Sequence, residues 1–136
     1  MIRGFTCGAF DLLHAGHVLM LKEAKEQCDY LIVGLHIDPS LERPSKNKPI
    51  QTLQERLIQL DGCQYVDQIL TYETEQDMYD ILKDFYINVR IVGKEYRDIE
   101  LSGRDVCEKL GIKIYYNDRS HSYSSTELRE RIKNAT

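Results

Sequence analysis

The chain has no tryptophan, only three prolines in 136 residues and no Gly/Ser-rich tract. Nothing in it marks a place to divide it, so residues 1–136 are expected to fold as one domain. Four cysteines (Cys7, Cys28, Cys63, Cys107) are scattered, without a Cys-x-x-Cys pair. They read as reduced core thiols in a cytoplasmic protein. No apolar run approaches the length that crosses a bilayer, and the first ten residues, MIRGFTCGAF, lack the features of a signal peptide. Eighteen basic against twenty-two acidic residues give a net charge of −4. That balance argues against a general grip on nucleic acid, which needs a basic face. It leaves room for a small basic pocket that takes one phosphorylated ligand. Neither GxGxxG nor GxxxxGK[ST] occurs, which removes the usual dinucleotide cradle and the Walker loop.

What is present is alternation. Ile2 to Cys7 is a short apolar run ended by Gly8. Helical periodicity follows from about Ala15 to Cys28, with Val18, Leu21 and Ala24 near one face. Tyr30 to Leu35 reads as a strand buried on both faces. Residues 37–51 form a long polar loop, a length that is often functional. Thr52 with Glu55 makes a capping box for a helix whose stripe is Leu53, Leu57 and Leu60. Val66 to Leu70 is strand-like, Thr74 can cap a helix to about Phe85, and Val89 to Val92 is another buried strand. Ser102 can cap a helix to about Leu110, with Gly111 placed as a terminating glycine. Ile112 to Tyr116 is a last strand, and Ser124 with Glu127 opens a C-terminal helix. The expected fold class is α/β: a single Rossmann-like domain with a five-stranded parallel sheet in order 3-2-1-4-5 and helices on both faces. Ligands of such sheets bind at the carboxyl ends of the strands. The loop after the first strand, GAFDLLHAGH, is therefore the first place to look.

Gly8 lets that loop turn tightly, and His14 and His17 stand three apart around Gly16. On a helix entrance, i and i+3 share a face, and free backbone N–H groups add positive potential there. Three readings stand on spacing alone. The histidines are helix-end residues or partners of core carbonyls; they are half of a metal site; or they donate to phosphate oxygens. For a metal, His36, His121 and the cysteines make no convincing set, so no metal is expected to be held by protein side chains alone.

The same loop resembles the GTFDxxHxGH signature of the cytidylyltransferases within the HxGH nucleotidyltransferases. The resemblance continues through Asp29–Gly34, Asp38, Glu55-Arg56, Tyr65-Val66-Asp67 and Gly93-Lys-Glu-Tyr96. It ends in Arg119-Ser-His-Ser-Tyr-Ser-Ser-Thr126, similar to RTEGISTT. It implies nucleotidyl transfer: a phosphorylated alcohol attacks the α-phosphate of a nucleoside triphosphate and pyrophosphate leaves. His14, His17, Lys46 and Arg119 are implied as catalytic. Gly8, Ala9, Phe10, Asp11, Gly16, Lys48, Glu95, Ser120, Ser124, Ser125 and Thr126 are implied around the nucleotide. Asp38, Arg56, Asp67 and Tyr96 are implied at the acceptor. Phe10, Tyr96 and Tyr123 are the candidates for stacking on a base. Mg²⁺ is expected to accompany the triphosphate, and a homodimer is expected.

Arg119 and the serine-rich segment after it favour CTP, with glycerol 3-phosphate as first acceptor and CDP-glycerol as product. FDLLHAGHVLML and RPSKNKPIQTLQER also resemble the heptose-phosphate adenylyltransferases. The alternatives are therefore ATP with a sugar phosphate of the heptose 1-phosphate type or with FMN, and a non-catalytic nucleotide-binding module. Ala9 stands where the family usually has threonine, and Gln64 where many members carry arginine.

Overall fold

A computed structural model describes residues 1–118 and 121–135. These form five strands: β1 (Arg3–Gly8), β2 (Tyr30–His36), β3 (Gln68–Tyr72), β4 (Val89–Gly93) and β5 (Lys113–Asn117). All pair in parallel, in the order β3-β2-β1-β4-β5. This is the expected topology, with the first strand at the centre. Five α-helices accompany them: α1 (Ala15–Glu26), α2 (Leu53–Asp61), α3 (Glu75–Asp84), α4 (Arg104–Leu110) and α5 (Ser125–Lys133).

The strands are apolar on both faces because both faces are covered. Phe5, Ile32 and Tyr72 pack with Met78, Ile81, Leu82 and Cys107 of α3 and α4. On the opposite face Val33, Val89 and Ile91 pack with Leu21 and Ala24 of α1 and Leu60 of α2. Leu21 and Leu60 are fully buried, each worth about 1.5–3 kcal/mol. That anchoring fixes where the first turns of α1 and α2 emerge beside the strand tips. All four cysteines are free thiols.

Two boundaries differ from expectation. β3 starts at Gln68 rather than Val66, because Val66 donates to the Cys63 carbonyl and closes a turn. Ser102, expected to cap α4, does not; the cap is Gly103 at φ 85°, a left-handed conformation that suits glycine. Gly111 ends α4 at φ 71°, as a glycine at that place should.

Candidate active site

The loop after β1 is held in a conformation it would not adopt unaided. Phe10 and Leu12 have positive φ, 49° and 53°, costing about 1–2 kcal/mol each. The restraint comes from the segment before α2. The Asp11 carboxylate accepts from Ile50 N at 2.8 Å and Gln51 N at 2.9 Å, and Leu12 N donates to Gln51 Oε1 at 2.7 Å. Arg56, 2% exposed, donates to the carbonyls of Gln51, Ala9, His36 and Ile37. Arg129 of α5 closes the set with an ion pair to Asp11 at 3.1 Å. Asp11 and Arg56 thus shape the loop, and neither lines the cleft described next.

At the start of α1, two histidines form a capping box. His14 Nδ1 accepts from Gly16 N at 3.0 Å, and His17 Nδ1 accepts from His14 N at 3.2 Å. With each Nδ1 accepting, the proton of each neutral ring sits on Nε2. The rings lie 4.0 Å apart, centroid to centroid. His14 Nε2 meets Ser125 Oγ at 3.1 Å, which ties the central loop to the start of α5 across 111 residues. Gly16 permits this closeness. A Cβ there would lie 2.8 Å from His14 Cε1 and 2.9 Å from the Tyr123 carbonyl. Capping and ligand binding are therefore compatible: the caps use Nδ1, and both rings line a cleft.

That cleft, about 720 Å³, lies over the carboxyl ends of β1, β4 and β5, the place such sheets use for ligands. The structure brings Gly8, Ala9, His14, Gly16, His17, Lys46, Glu95, Tyr96 and Ser125 to it, with Tyr123. It does not bring the others. Phe10 is buried beneath the His17 ring, 5.5 Å away. Lys48 is exposed on the loop. Asp38 caps the short 3-10 turn Pro39–Leu41 through Ser40, whose hydroxyl holds the Asp38 carboxyl below its ordinary range. Asp67 precedes β3, at the amino end of the sheet, where it pairs with Lys25 at 2.5 Å and accepts from Leu31 N. Ser124 is the N-cap of α5, accepting from Glu127 N. Thr126 lies in the first turn of that helix, outside the cleft lining. Arg119 and Ser120 lie outside the described residues.

One half of the cleft was not anticipated. Arg43, from the 37–51 loop, pairs with Glu75 at the start of α3 and donates to Ser102 Oγ at 2.6 Å. The Ser102 hydroxyl donates on to Glu75 at 2.9 Å. Arg43 and Ser102 hold the Glu75 carboxyl below its ordinary range. Arg90, only 3% exposed in β4, donates to the Ser102 carbonyl at 2.5 Å. Burial, with Cys7 alongside, pushes the Tyr72 phenol far up, so it stays neutral. The available signal was Arg90 itself, because a charged residue inside the apolar run VRIV must find a partner. Lys46, Arg43 and Arg90 line this half together with Glu42, Glu75 and Glu100, and the half beneath Leu19, Met20 and Ile91 is bordered by Lys22, Glu23, Glu26 and Asp118.

A sheet of this order carrying a His-x-Gly-His turn at the tip of its central strand belongs to the nucleotidyltransferase class of α/β proteins. The family model described as cytidylyltransferase-like matches residues 5–131, and the chain belongs to that family. It is 35% identical over 130 residues to the bifunctional protein HldE of Caulobacter vibrioides, covering 95% of this chain and 27% of that protein. It is 34% identical over 119 residues to the bifunctional protein HldE of Wolinella succinogenes, covering 87% and 25%. The chain thus spans about a quarter of the length of these curated relatives. Among solved structures, the lipopolysaccharide core biosynthesis protein of Thermoplasma volcanium superposes with a TM-score of 0.69 at 27% identity. That match covers 87% of this chain and 99% of that one. Pantothenate synthetase of Thermus thermophilus shares the fold, with a TM-score of 0.57 at 14% identity over 96% of this chain and 64% of that one.

Proposed function

We propose that the protein is an ATP-dependent nucleotidyltransferase that adenylates a sugar phosphate of the heptose 1-phosphate type. What supports the choice of substrates is the resemblance of FDLLHAGHVLML and RPSKNKPIQTLQER to the heptose-phosphate adenylyltransferases, together with 35% identity to a quarter of the bifunctional protein HldE over nearly the whole of this chain. It favours ATP with a heptose phosphate over the CTP and glycerol 3-phosphate expected first. The lipopolysaccharide core protein of similar length supports the same acceptor class.

The reaction needs no protein nucleophile. A phosphate oxygen of the acceptor forms a bond to the α-phosphorus, the bond to the bridging oxygen breaks, and pyrophosphate leaves with that electron pair. The protein's task is alignment and neutralisation of charge. His14 and His17 carry their protons on Nε2 and would donate them as hydrogen bonds to α- and β-phosphate oxygens. Lys46 would close on the triphosphate from the loop, and Arg43 and Arg90, set among Glu42, Glu75 and Glu100, would face the acceptor. Among the described residues no group of three or more His, Cys, Asp or Glu side chains could hold a metal. We therefore place Mg²⁺ with the triphosphate and route no step through a protein-held ion. A homodimer is proposed through the face formed by α2 and the edge strand β3, where Ile58 of α2 is 65% exposed; gel filtration at known concentration tests it. Among the described residues no helix is long and apolar enough to cross a membrane.

Pyrophosphate release tests the main proposal, with ATP, CTP, GTP and UTP each set against heptose 1-phosphate, glycerol 3-phosphate and FMN. Turnover should be highest for ATP with heptose 1-phosphate. Faster turnover with CTP and glycerol 3-phosphate would reverse the choice. Binding without turnover in every pair would make the chain a binding module.

A further inference from the structure

The proposed reaction brings two polyanions into a cleft that Glu75 lines. A carboxylate there repels phosphate, so its presence needs a compensating use. The contacts show one. The Glu75 carboxylate pairs with Arg43 and accepts from Ser102 Oγ at 2.9 Å, and Arg43 donates to the same hydroxyl at 2.6 Å. The Glu42 carboxylate, one residue before Arg43, accepts from Glu75 N at 3.0 Å. Two adjacent residues of the 37–51 loop thus grip the first residue of α3.

That grip holds a segment with little else to hold it. Residues 41–48 are all exposed. Among the described residues, the hydrogen bonds that tie them to elements outside the loop are those joining Glu42 and Arg43 to Glu75 and Ser102. Lys46 depends on the same anchor. Its N–H donates to the Arg43 carbonyl at 2.8 Å, so the backbone and side chain of Arg43 connect the lysine to α3. Lys46 lines the cleft from that anchored turn, and Lys48, two residues further on, does not.

We infer that Glu75 is a positioning residue: with Ser102 it clasps Arg43 and so places Lys46 over the triphosphate. This deepens the proposed function and rests on the part given there to Lys46. It also reverses the sign that charge alone predicts. Were Arg43 only a cation facing the acceptor, removing Glu75 would free its charge and raise turnover. With the clasp, removing Glu75 lowers kcat, because a misplacement of about 1 Å costs up to about two decades of rate.

Steady-state pyrophosphate release by Glu75→Ala tests this. Glu75 is partly exposed in the first turn of α3, a position that accepts alanine without loss of the helix. The kcat should fall at least about threefold. On a Lys46→Ala background the same change should alter kcat by less than about twofold, because a positioning residue then has nothing to place. A smaller loss with Lys46 present, a gain, or a loss of about twofold or more without Lys46 overturns the inference. Trypsin reads the clasp without any turnover. Arg43 and Lys48 precede prolines, which block the protease, so Lys46–Asn47 is the cleavable bond of this stretch. Its cleavage should rise about two- to fivefold in Glu75→Ala, the range an exposed ion pair allows. An unchanged rate overturns the clasp. Faster cleavage in a protein whose wild type turns over no substrate pair would sink the proposed reaction and leave the clasp standing.

Discussion

Replacing His14 separates two jobs that one side chain performs. Its Nδ1 caps α1 through Gly16 N, while Nε2 faces Ser125 and the cleft. His14→Asn keeps an oxygen that can accept from Gly16 N, and asparagine is among the best N-cap residues. Stability should then change by only a few tenths of a kcal/mol. His14→Ala removes the cap as well, about 1 kcal/mol, or roughly 3–5 °C in Tm for a domain of this size. Both variants lose the Nε2 proton. If that proton stabilises charge on the phosphates in the transition state, both should lose about 3–4 kcal/mol, two to three decades in kcat. Unfolding cannot mimic this. A protein with at least about 5 kcal/mol of stability remains over 99% folded after losing 1 kcal/mol. The assay is steady-state pyrophosphate release beside thermal melting by circular dichroism. A transition-state contact lowers kcat and kcat/KM together. A His14→Asn enzyme within threefold of wild-type kcat would refute the role. So would losses in the two variants that track Tm rather than the shared missing proton.

Gly16→Ala should cut kcat/KM by more than tenfold without raising Tm. The roughly 1 kcal/mol gain in helix propensity is set against a Cβ 2.9 Å from the Tyr123 backbone oxygen, and an unharmed, more stable variant would contradict the packing. Arg56→Met removes the donor to four carbonyls in a buried site and should lower stability by about 3 kcal/mol or more, read as a fall in the urea midpoint; loss of acceptor affinity at unchanged midpoint would instead make it a ligand contact. Glu75 is held below its ordinary 4.5, so its contribution is present above that pH and lost as pH falls through the lower folded value. Because Arg43 and Glu75 are 46% and 38% exposed, the effect should stay below about 1 kcal/mol. Glu75→Gln should flatten the Tm-versus-pH curve below about pH 4.5, and an identical slope in both proteins would remove the pair from the account.

The strand order, the free thiols and the place of the cleft were legible because each follows from local pattern. Two-sided apolar runs require covered strands, alternation with helices requires parallel crossovers, and a sheet so built opens at the tip of its central strand. The histidines were legible for a different reason: the i, i+3 spacing around a glycine survives any shift in the boundary of α1. Asp67 shows where such reasoning fails. A strand read as Val66 to Leu70 places Asp67 inside it. The Val66–Cys63 turn moves the start to Gln68, and Asp67 becomes a rim residue at the opposite end from the cleft, facing Lys25. Two residues of boundary thus decide whether a carboxylate meets a substrate or a lysine. Arg56 illustrates the companion problem. On a helical wheel it is one more charged residue of α2, yet four carbonyls left over from the loops after β1 and β2 need a donor, and it is the one they share. Carbonyls have no sequence signature, so a side chain recruited by them looks like surface until the chain is folded. Asn117 belongs to the same class with the sign reversed. It is polar and stands at a strand end, and its Oδ1 has no protein donor among the described residues.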